Sequence, residues 1–356
     1  MSTIRDVAAL AGVSYTTVSH VVNDTRPVHP EKRARVQAAI AELHFVPSAV
    51  ARSLKARATA TIGLLVPSNT NPYFAEIARG IEGHLRRHGY CVFLCNSDND
   101  IATQYAYLRV LHEKRIDGLI VASAGDDVRM ARALSQSGVP VVMIDRPIAG
   151  VDADLVQIDH EAGGAIATRH LLALGHTRIG CIAGPGTAGG ISASRVAGFR
   201  RAMAEHGVPV AADAIVEADF SSPGGRAAAG TLFDTLAPSA LFAGNDLMAI
   251  GALRAAAERG IRVPADCSIV GFDDIEMSRY VYPALSTVGQ AILHLGETAA
   301  RRLLERINGV TTGLACQQPV APHLVVRESC ARLPAPVTNP PARQTAGRGA
   351  PLPASK

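Results

Sequence analysis

Between Thr61 and Ile307, short β-branched runs alternate with amphipathic stretches, and that alternation permits few architectures. The strand candidates are TIGLLVP (61–67), YCVFLCN (90–96), GLIVAS (118–123), VPVVMID (139–145), LVQID (155–159), RIGCIAG (178–184), AIVEAD (214–219), ALFAGND (240–246), CSIVGFDD (267–274) and STVGQ (286–290). Helical stretches at 73–88, 101–114, 127–137, 161–174, 194–206, 223–236, 246–259 and 291–307 separate most of them. Regular β-α alternation predicts parallel sheets covered by helices on both faces, and ten strands divide better into two sheets than one.

The first 45 residues have a different texture. Thr3 is positioned to cap a helix whose apolar stripe is Ile4, Val7, Ala8 and Ala11, with Asp6 completing an imperfect capping box and Gly12 stopping it. Ser14 caps a second short helix, Tyr15 to Val22, and the Gly12-Val13-Ser14 turn between them is that of a helix-turn-helix. A third helix begins near Pro30 and carries Val36, Ile40 and Leu43 to close a small core. Tyr15, Thr16 and Thr17 project hydroxyls from the end of the second helix that enters the DNA major groove in such motifs, and His20 extends the face.

Charge is divided along the chain in a way that fits this head. Residues 1–58 hold eight basic and four acidic side chains, the region from Ala331 onward is basic without an acid, and the remainder is net negative. A basic head on an acidic body predicts a polyanionic partner for the head. The N-terminus lacks the apolar core of a signal peptide, and no run approaches the length of a membrane span, so a cytoplasmic location without a membrane partner is expected. The cysteines at 91, 95, 181, 267, 316 and 330 show no metal or redox spacing and read as small hydrophobes.

TIRDVAALAGVSYTTVSHVVND followed by VPSAVARSLK resembles the head and hinge of the LacI family of bacterial transcription repressors, in particular its purine and ribose branch. The resemblance covers residues 2–330 and departs from the family at His29-Pro30, where a Ser or Thr cap is usual. It implies an α/β fold: a small all-α helix-turn-helix head on a periplasmic-binding-protein-like body of two Rossmann-like lobes joined by crossing strands. The expected division is a head at 1–46, a hinge helix and linker at 47–59, an effector and dimerisation domain at 60–330, and a disordered tail at 331–356. Within the body, one lobe takes about 60–160 and 291–318, the other 161–290 and 319–330. A homodimer on a pseudo-palindromic double-stranded DNA operator is implied, as is a repressor without enzymatic activity, cofactor or metal.

The DNA-facing set is Thr3, Ser14, Tyr15, Thr16, Thr17, His20, Asn23 and Arg26, with Ser48, Ala51, Arg52, Leu54 and Lys55 from the hinge. The hinge is apolar for a linker. The resemblance assigns Leu54 to a wedge between minor-groove base pairs, with Arg52 and Lys55 on flanking phosphates.

Ligands of open α/β sheets bind beyond the carboxyl ends of the strands. Those ends carry Asn71, Tyr73 and Phe74, Asp145 and Arg146, Asn245, Asp273 and Gln290, to which Arg195 and Phe220 are added. Aromatic faces, carboxylates, amides and guanidinium groups are what a buried monosaccharide requires. The set is similar to that of the ribose-binding protein, so D-ribose acting as inducer of a sugar-utilisation operon is the leading expectation. A purine-type corepressor is the alternative, weakened by Gly189-Gly190 where purine-binding relatives carry an arginine. A nicotinamide enzyme is suggested by GPGTAG (184–189) with Glu205 about twenty residues on, but Glu205 falls inside an amphipathic helix instead of at a strand end. His160, His170 and His176 read as surface or loop histidines without metal-ligand spacing. A periplasmic transport protein would fit the body but leaves the basic head unexplained.

Overall fold

A computed structural model of the protein describes residues 2–45, 58–122, 128–186, 190–311 and 315–333. The residues expected to form a hinge, Ser48, Ala51, Arg52, Leu54 and Lys55, lie outside the described residues, as does the chain after Leu333.

The head is three helices, α1 (Ile4–Ala11), α2 (Tyr15–Asn23) and α3 (Pro30–Glu42). Thr3 Oγ1 accepts from the Asp6 backbone while Asp6 returns a carboxylate to the Thr3 N–H at 2.6 Å, so the box is complete with aspartate in place of glutamate. Gly12 takes a left-handed conformation (φ 60°) that lets the chain turn directly into α2. Val7, Ala11, Val18, Val21, Val36 and Ala39 form the buried core that holds the helices together. His29 gives α3 no side-chain cap, yet Pro30 at the first helical position starts the helix there.

The body contains two six-stranded sheets. The first holds β1 (Thr61–Val66), β2 (Cys91–Asn96), β3 (Gly118–Ala122), β4 (Val141–Ile144), β5 (Asp154–Ile158) and β11 (Gln317–Val320), in the order β11-β5-β4-β3-β1-β2. The second holds β6 (Ile179–Ala183), β7 (Ile215–Glu217), β8 (Ala240–Ala243), β9 (Ser268–Asp273), β10 (Ser286–Gly289) and β12 (His323–Val325), in the order β12-β10-β9-β8-β6-β7. Among the described residues every strand pairing is parallel except β10 with β12. Central strands such as β3 and β8 are buried at every residue, as their unbroken apolar runs require when both faces are covered. The helices are α4 (Pro72–Arg87), α5 (Ile101–Glu113), α6 (Val128–Ser135), α7 (His160–Ala173), α8 (Gly190–Glu205), α9 (Ser222–Thr235), α10 (Asp246–Glu258) and α11 (Ile292–Ile307).

Among the described residues the chain passes between the sheets three times: from β5 into α7, from β10 into α11, and between β11 and β12. The last crossing follows Val320 instead of residue 318. Neither β11 nor β12 was expected, because QQPV and HLV are short, carry a proline or a histidine, and lie at sheet edges where burial is partial. Nor does order end at Ala331. Ala331 donates to Ser268 Oγ at 3.0 Å, its carbonyl meets His176 Nε2 at 3.0 Å, and Leu333 N–H bonds to Leu174 O at 2.8 Å. His176, read as a surface or loop histidine, does lie in a loop but is buried there. Of the six cysteines, Cys95, Cys181 and Cys267 are buried, Cys316 and Cys330 partly so, and Cys91 is exposed on the edge strand β2.

Helices α7 and α8 are pressed together until their backbones touch. A Cβ at Gly164 would overlap the carbonyl of Arg195, and one at Gly198 would overlap that of Glu161. This contact decides where Arg195 sits. A Gly198→Val substitution should therefore force the pair apart, lower stability by about 1–3 kcal/mol, and appear as a lower urea midpoint in chemical unfolding.

Candidate functional site

Six buried side chains form a closed ring between the two lobes. From the first lobe, the Tyr73 hydroxyl, at the start of α4, donates to Asp145 Oδ2 at the end of β4. Asp145 Oδ1 faces His160 Nε2 at 3.6 Å. His160, the first residue of α7, accepts at Nδ1 from Arg195 Nε at 3.4 Å. Arg195 Nη2 lies 3.7 Å from Asp273 Oδ1 at the end of β9. Gln290 Nε2, after β10, donates to the same carboxylate oxygen, and its Oε1 lies 3.4 Å from the Tyr73 hydroxyl oxygen. All six residues are buried.

Five of the six were expected from sequence. His160 was not, and its place in the ring corrects its reading as a surface or loop histidine. The available signal was Asp159, which caps α7 through the Ala162 N–H at 2.8 Å and so places the following residue at the crossing.

The ring is held rigidly from below. The Arg195 guanidinium stacks 3.8 Å from the ring centre of Phe272 and donates to the carbonyl of Gly244. Asp145, Phe220 and Asp273 have φ values of 66°, 63° and 125°, conformations that non-glycine residues rarely hold unless their surroundings impose them. The Phe220 ring lies over Gly184, where any side chain would occupy its place. Asn245 caps α10 through the Met248 N–H at 2.8 Å and donates to Phe220 O at 3.0 Å, so it positions the aromatic residue. Asn71 likewise caps α4 through the Tyr73 N–H at 3.0 Å, and Phe74 packs edge-on against Tyr73. Across the cleft, the Arg146 guanidinium lies beside Gly190, the start of α8, where a Cβ would come within 3.1 Å of it. A second bridge links the lobes where Glu76 of α4 accepts the Glu276 N–H at 2.9 Å.

Burial dominates the electrostatics. It raises the Asp273 carboxyl well above its ordinary range despite Arg195, raises the Tyr73 phenol, a shift the Asp145 carboxylate reinforces, and lowers His160. Asp145 Oδ1, Arg146 Nε and His160 Nε2 are buried without a hydrogen-bond partner, three polar atoms gathered at one cleft. Such groups mark a place where a polar ligand restores lost bonds. A separate groove of about 1110 Å³ at the opposite, amino-terminal ends of the first sheet's strands is lined by Tyr105, Arg109, His112 and Asp117 and includes none of these residues.

In the head, Tyr15, Thr16 and Arg26 are exposed, and Thr3 is occupied with its cap. Ser14 and Thr17 bond to each other at 2.9 Å, His20 to Thr25 at 2.7 Å, and Asn23 to Ser19 O at 2.8 Å, so these four are partly engaged within the head.

Comparison with known proteins agrees with both halves. Residues 59–329 match the family of periplasmic binding proteins and sugar binding domains of the LacI family, and residues 3–48 match the bacterial regulatory proteins of the lacI family. The chain belongs to the LacI family. It is 45% identical over 337 residues to the HTH-type transcriptional repressor PurR of Proteus mirabilis, covering 93% of this chain and 97% of that one. The PurR repressor of Aliivibrio salmonicida is 42% identical over 309 residues, covering 86% and 92%. The lac repressor dimer bound to operator and the anti-inducer ONPF is 31% identical with a TM-score of 0.82, covering 93% of this chain and 99% of that one. A LacI family regulator from Enterococcus faecium with bound ribose is 33% identical with a TM-score of 0.70, covering 77% and 100%.

This LacI-family member is thus a DNA-binding transcriptional repressor with a small-molecule effector, and not an enzyme. Glu205, the acid of the nicotinamide reading, lies on α8 paired with Arg169 at 2.7 Å. Among the described residues no group of side chains could hold a metal ion, and no helix is long and apolar enough to cross a membrane.

Asp246, beside Asn245, was missed by sequence reasoning because it reads as an ordinary first-turn acid. It is fully buried and braces the chain after β9 by accepting from Ile275 N–H at 3.0 Å, Ser278 Oγ at 2.7 Å and Thr287 Oγ1 at 2.6 Å. Burial outweighs these donors and pushes its carboxyl up to about 6. A folded value above the unfolded one means that this group's stabilisation is full below the unfolded pKa and is lost as pH rises through about 6. Asp246→Asn removes that dependence. Urea unfolding of both proteins should show the variant gaining about 1–3 kcal/mol on the wild type between pH 4.5 and pH 7.

Proposed function

We propose that the cleft takes D-ribose, or a similarly unmodified monosaccharide, as an inducer. The observation that carries this reading is the arrangement of acceptors and donors on opposite sides of one cleft. Asp145 and Asp273 supply carboxylates, Arg146 and Arg195 guanidinium groups, and Gln290 an amide. A sugar hydroxyl both donates and accepts, so each can satisfy a carboxylate and a guanidinium together. Phe220, Tyr73 and Phe74 give the apolar walls. The Enterococcus faecium regulator with bound ribose supports the sugar class. A purine corepressor is the second reading, favoured by the PurR name of the relatives at 40–45% identity.

The head is proposed to dock α2 in the major groove, with Tyr15 and Thr16 toward base edges, Ser14, Thr17, His20 and Asn23 lining the same helix, and Thr3 and Arg26 toward phosphates. The hinge residues Ser48, Ala51, Arg52, Leu54 and Lys55 are proposed to follow in the minor groove. A homodimer would place two such heads on a pseudo-palindromic operator. Exposed apolar side chains support a dimer: Phe93 and Leu94 on the edge strand β2 with Val110 on α5, and Met277, Tyr280 and Tyr282 after β9. Effector closure would alter the relation of the paired first lobes, a coupling of about 1–3 kcal/mol.

Calorimetry with D-ribose, guanine and hypoxanthine, paired with gel-shift titration on a selected operator, tests the reading. D-ribose should bind and weaken operator binding, and Asp273→Ala should abolish that response while operator affinity stays unchanged. Purine binding that strengthens the operator complex would establish the second reading instead. For the dimer, Phe93→Glu should shift the protein toward monomer in sedimentation velocity and reduce operator affinity.

A further inference from the structure

His160 stands at the first residue beyond the first crossing and faces both lobes. Arg195 carries only donors, so its Nε and Nη2, at 3.4 and 3.3 Å, require Nδ1 of His160 to accept. The single proton of a neutral imidazole must then sit on Nε2. That nitrogen points at Asp145 Oδ1 from 3.6 Å, beyond hydrogen-bond range. Both atoms are buried and without a hydrogen-bond partner. Two facing orphans are an unfavourable arrangement that a movement of about 0.7–0.9 Å converts into a charge-assisted bond. Asp145 lies in the first lobe and His160 opens α7, which leads into the second, so closing the cleft is a movement that would join the two atoms.

We propose that His160 is a positioning residue of the effector site. As the Nε2–H tautomer it takes an N–H from Arg195 in one lobe and donates to Asp145 in the other when the cleft closes on its effector. One hydrogen-bond chain, Arg195 to His160 to Asp145 to Tyr73, then couples ligand contact to the angle between the lobes. Burial, which disfavours a second ring proton, keeps the imidazole in the form the chain needs. The inference rests on the cleft being the effector site, but not on which effector fills it.

The test uses the full chain labelled with ¹⁵N-histidine. In the ligand-free protein the His160 ring should show a protonated Nε2 and an unprotonated Nδ1, and the Nε2 proton should move downfield when D-ribose or guanine saturates the wild type. His160→Leu should fold, bind the same ligand roughly 10- to 100-fold more weakly, and lose the ligand's effect on operator binding. His160→Gln, which keeps one acceptor and one donor, should remain within about threefold of wild type. An Nδ1–H or doubly protonated ring would overturn the proposal whatever the ligand does, and so would a Leu variant that responds like wild type. Failure of the wild type to bind either ligand would count against the cleft reading instead. The two failures are separable because the tautomer is read without ligand.

Discussion

A guanidinium buried between two lobes requires partners on every side, and in this protein the rest of the body is arranged to provide them. Arg195 is stacked on Phe272, bonded to the Gly244 carbonyl and His160, and set against the Asp273 carboxylate. Removing a charge from water costs several kcal/mol even after relaxation, so such a group is retained only where its bonds are nearly complete. Here they are nearly complete, and the exceptions are instructive. Arg146 Nε is buried without a hydrogen-bond partner beside the cleft, and Asp145 Oδ1 and His160 Nε2, likewise without one, face each other at 3.6 Å.

The fold produces this arrangement by bringing strand ends of two separate sheets to one place. Apart from the antiparallel β12, the strands of each sheet run parallel, so their carboxyl ends and following turns collect along one edge. The three crossings hold the edges face to face, and two of them carry ring members: His160 follows the first and Gln290 precedes the second. Close contact between α7 and α8 then fixes the height of Arg195 relative to His160. Residues of both lobes touch at the floor of a cleft built this way, and Glu76 and the Glu276 N–H meet elsewhere across it.

The head and the body solve different physical problems. The head has a small core of valine and alanine, and it relies on caps: the Thr3–Asp6 pair, the Gly12 turn and Ser14 satisfy helix ends that so small a core could not shield. Its exposed Tyr15 and Thr16 sit at the amino end of α2, where a polyanion would also meet the positive end of the helix dipole. The body buries enough apolar surface to carry strained backbone at Asp145, Phe220 and Asp273, three of the residues that shape the cleft.

Much of this was legible from local pattern. The β-α alternation specified parallel sheets, the capping residues specified the helix-turn-helix, and the rule that ligands lie beyond strand ends picked out Tyr73, Asp145, Asp273 and Gln290. These signals are local because periodicity, caps and turns are properties of a few consecutive residues. The strands β11 and β12 escaped notice because an edge position leaves little apolar signature, and Ala331–Leu333 because their order comes from His176, Ser268 and Leu174, distant in the chain. His160 and Asp246 were invisible for the same reason. A histidine at a helix start and an acid in a first turn look solvated in sequence, and only the tertiary structure decides that each is buried against groups that begin elsewhere. The residue types thus determined the fold and most of the cleft, whereas which buried atoms complete the ring depended on the meeting of two lobes, a relation that no stretch of sequence contains.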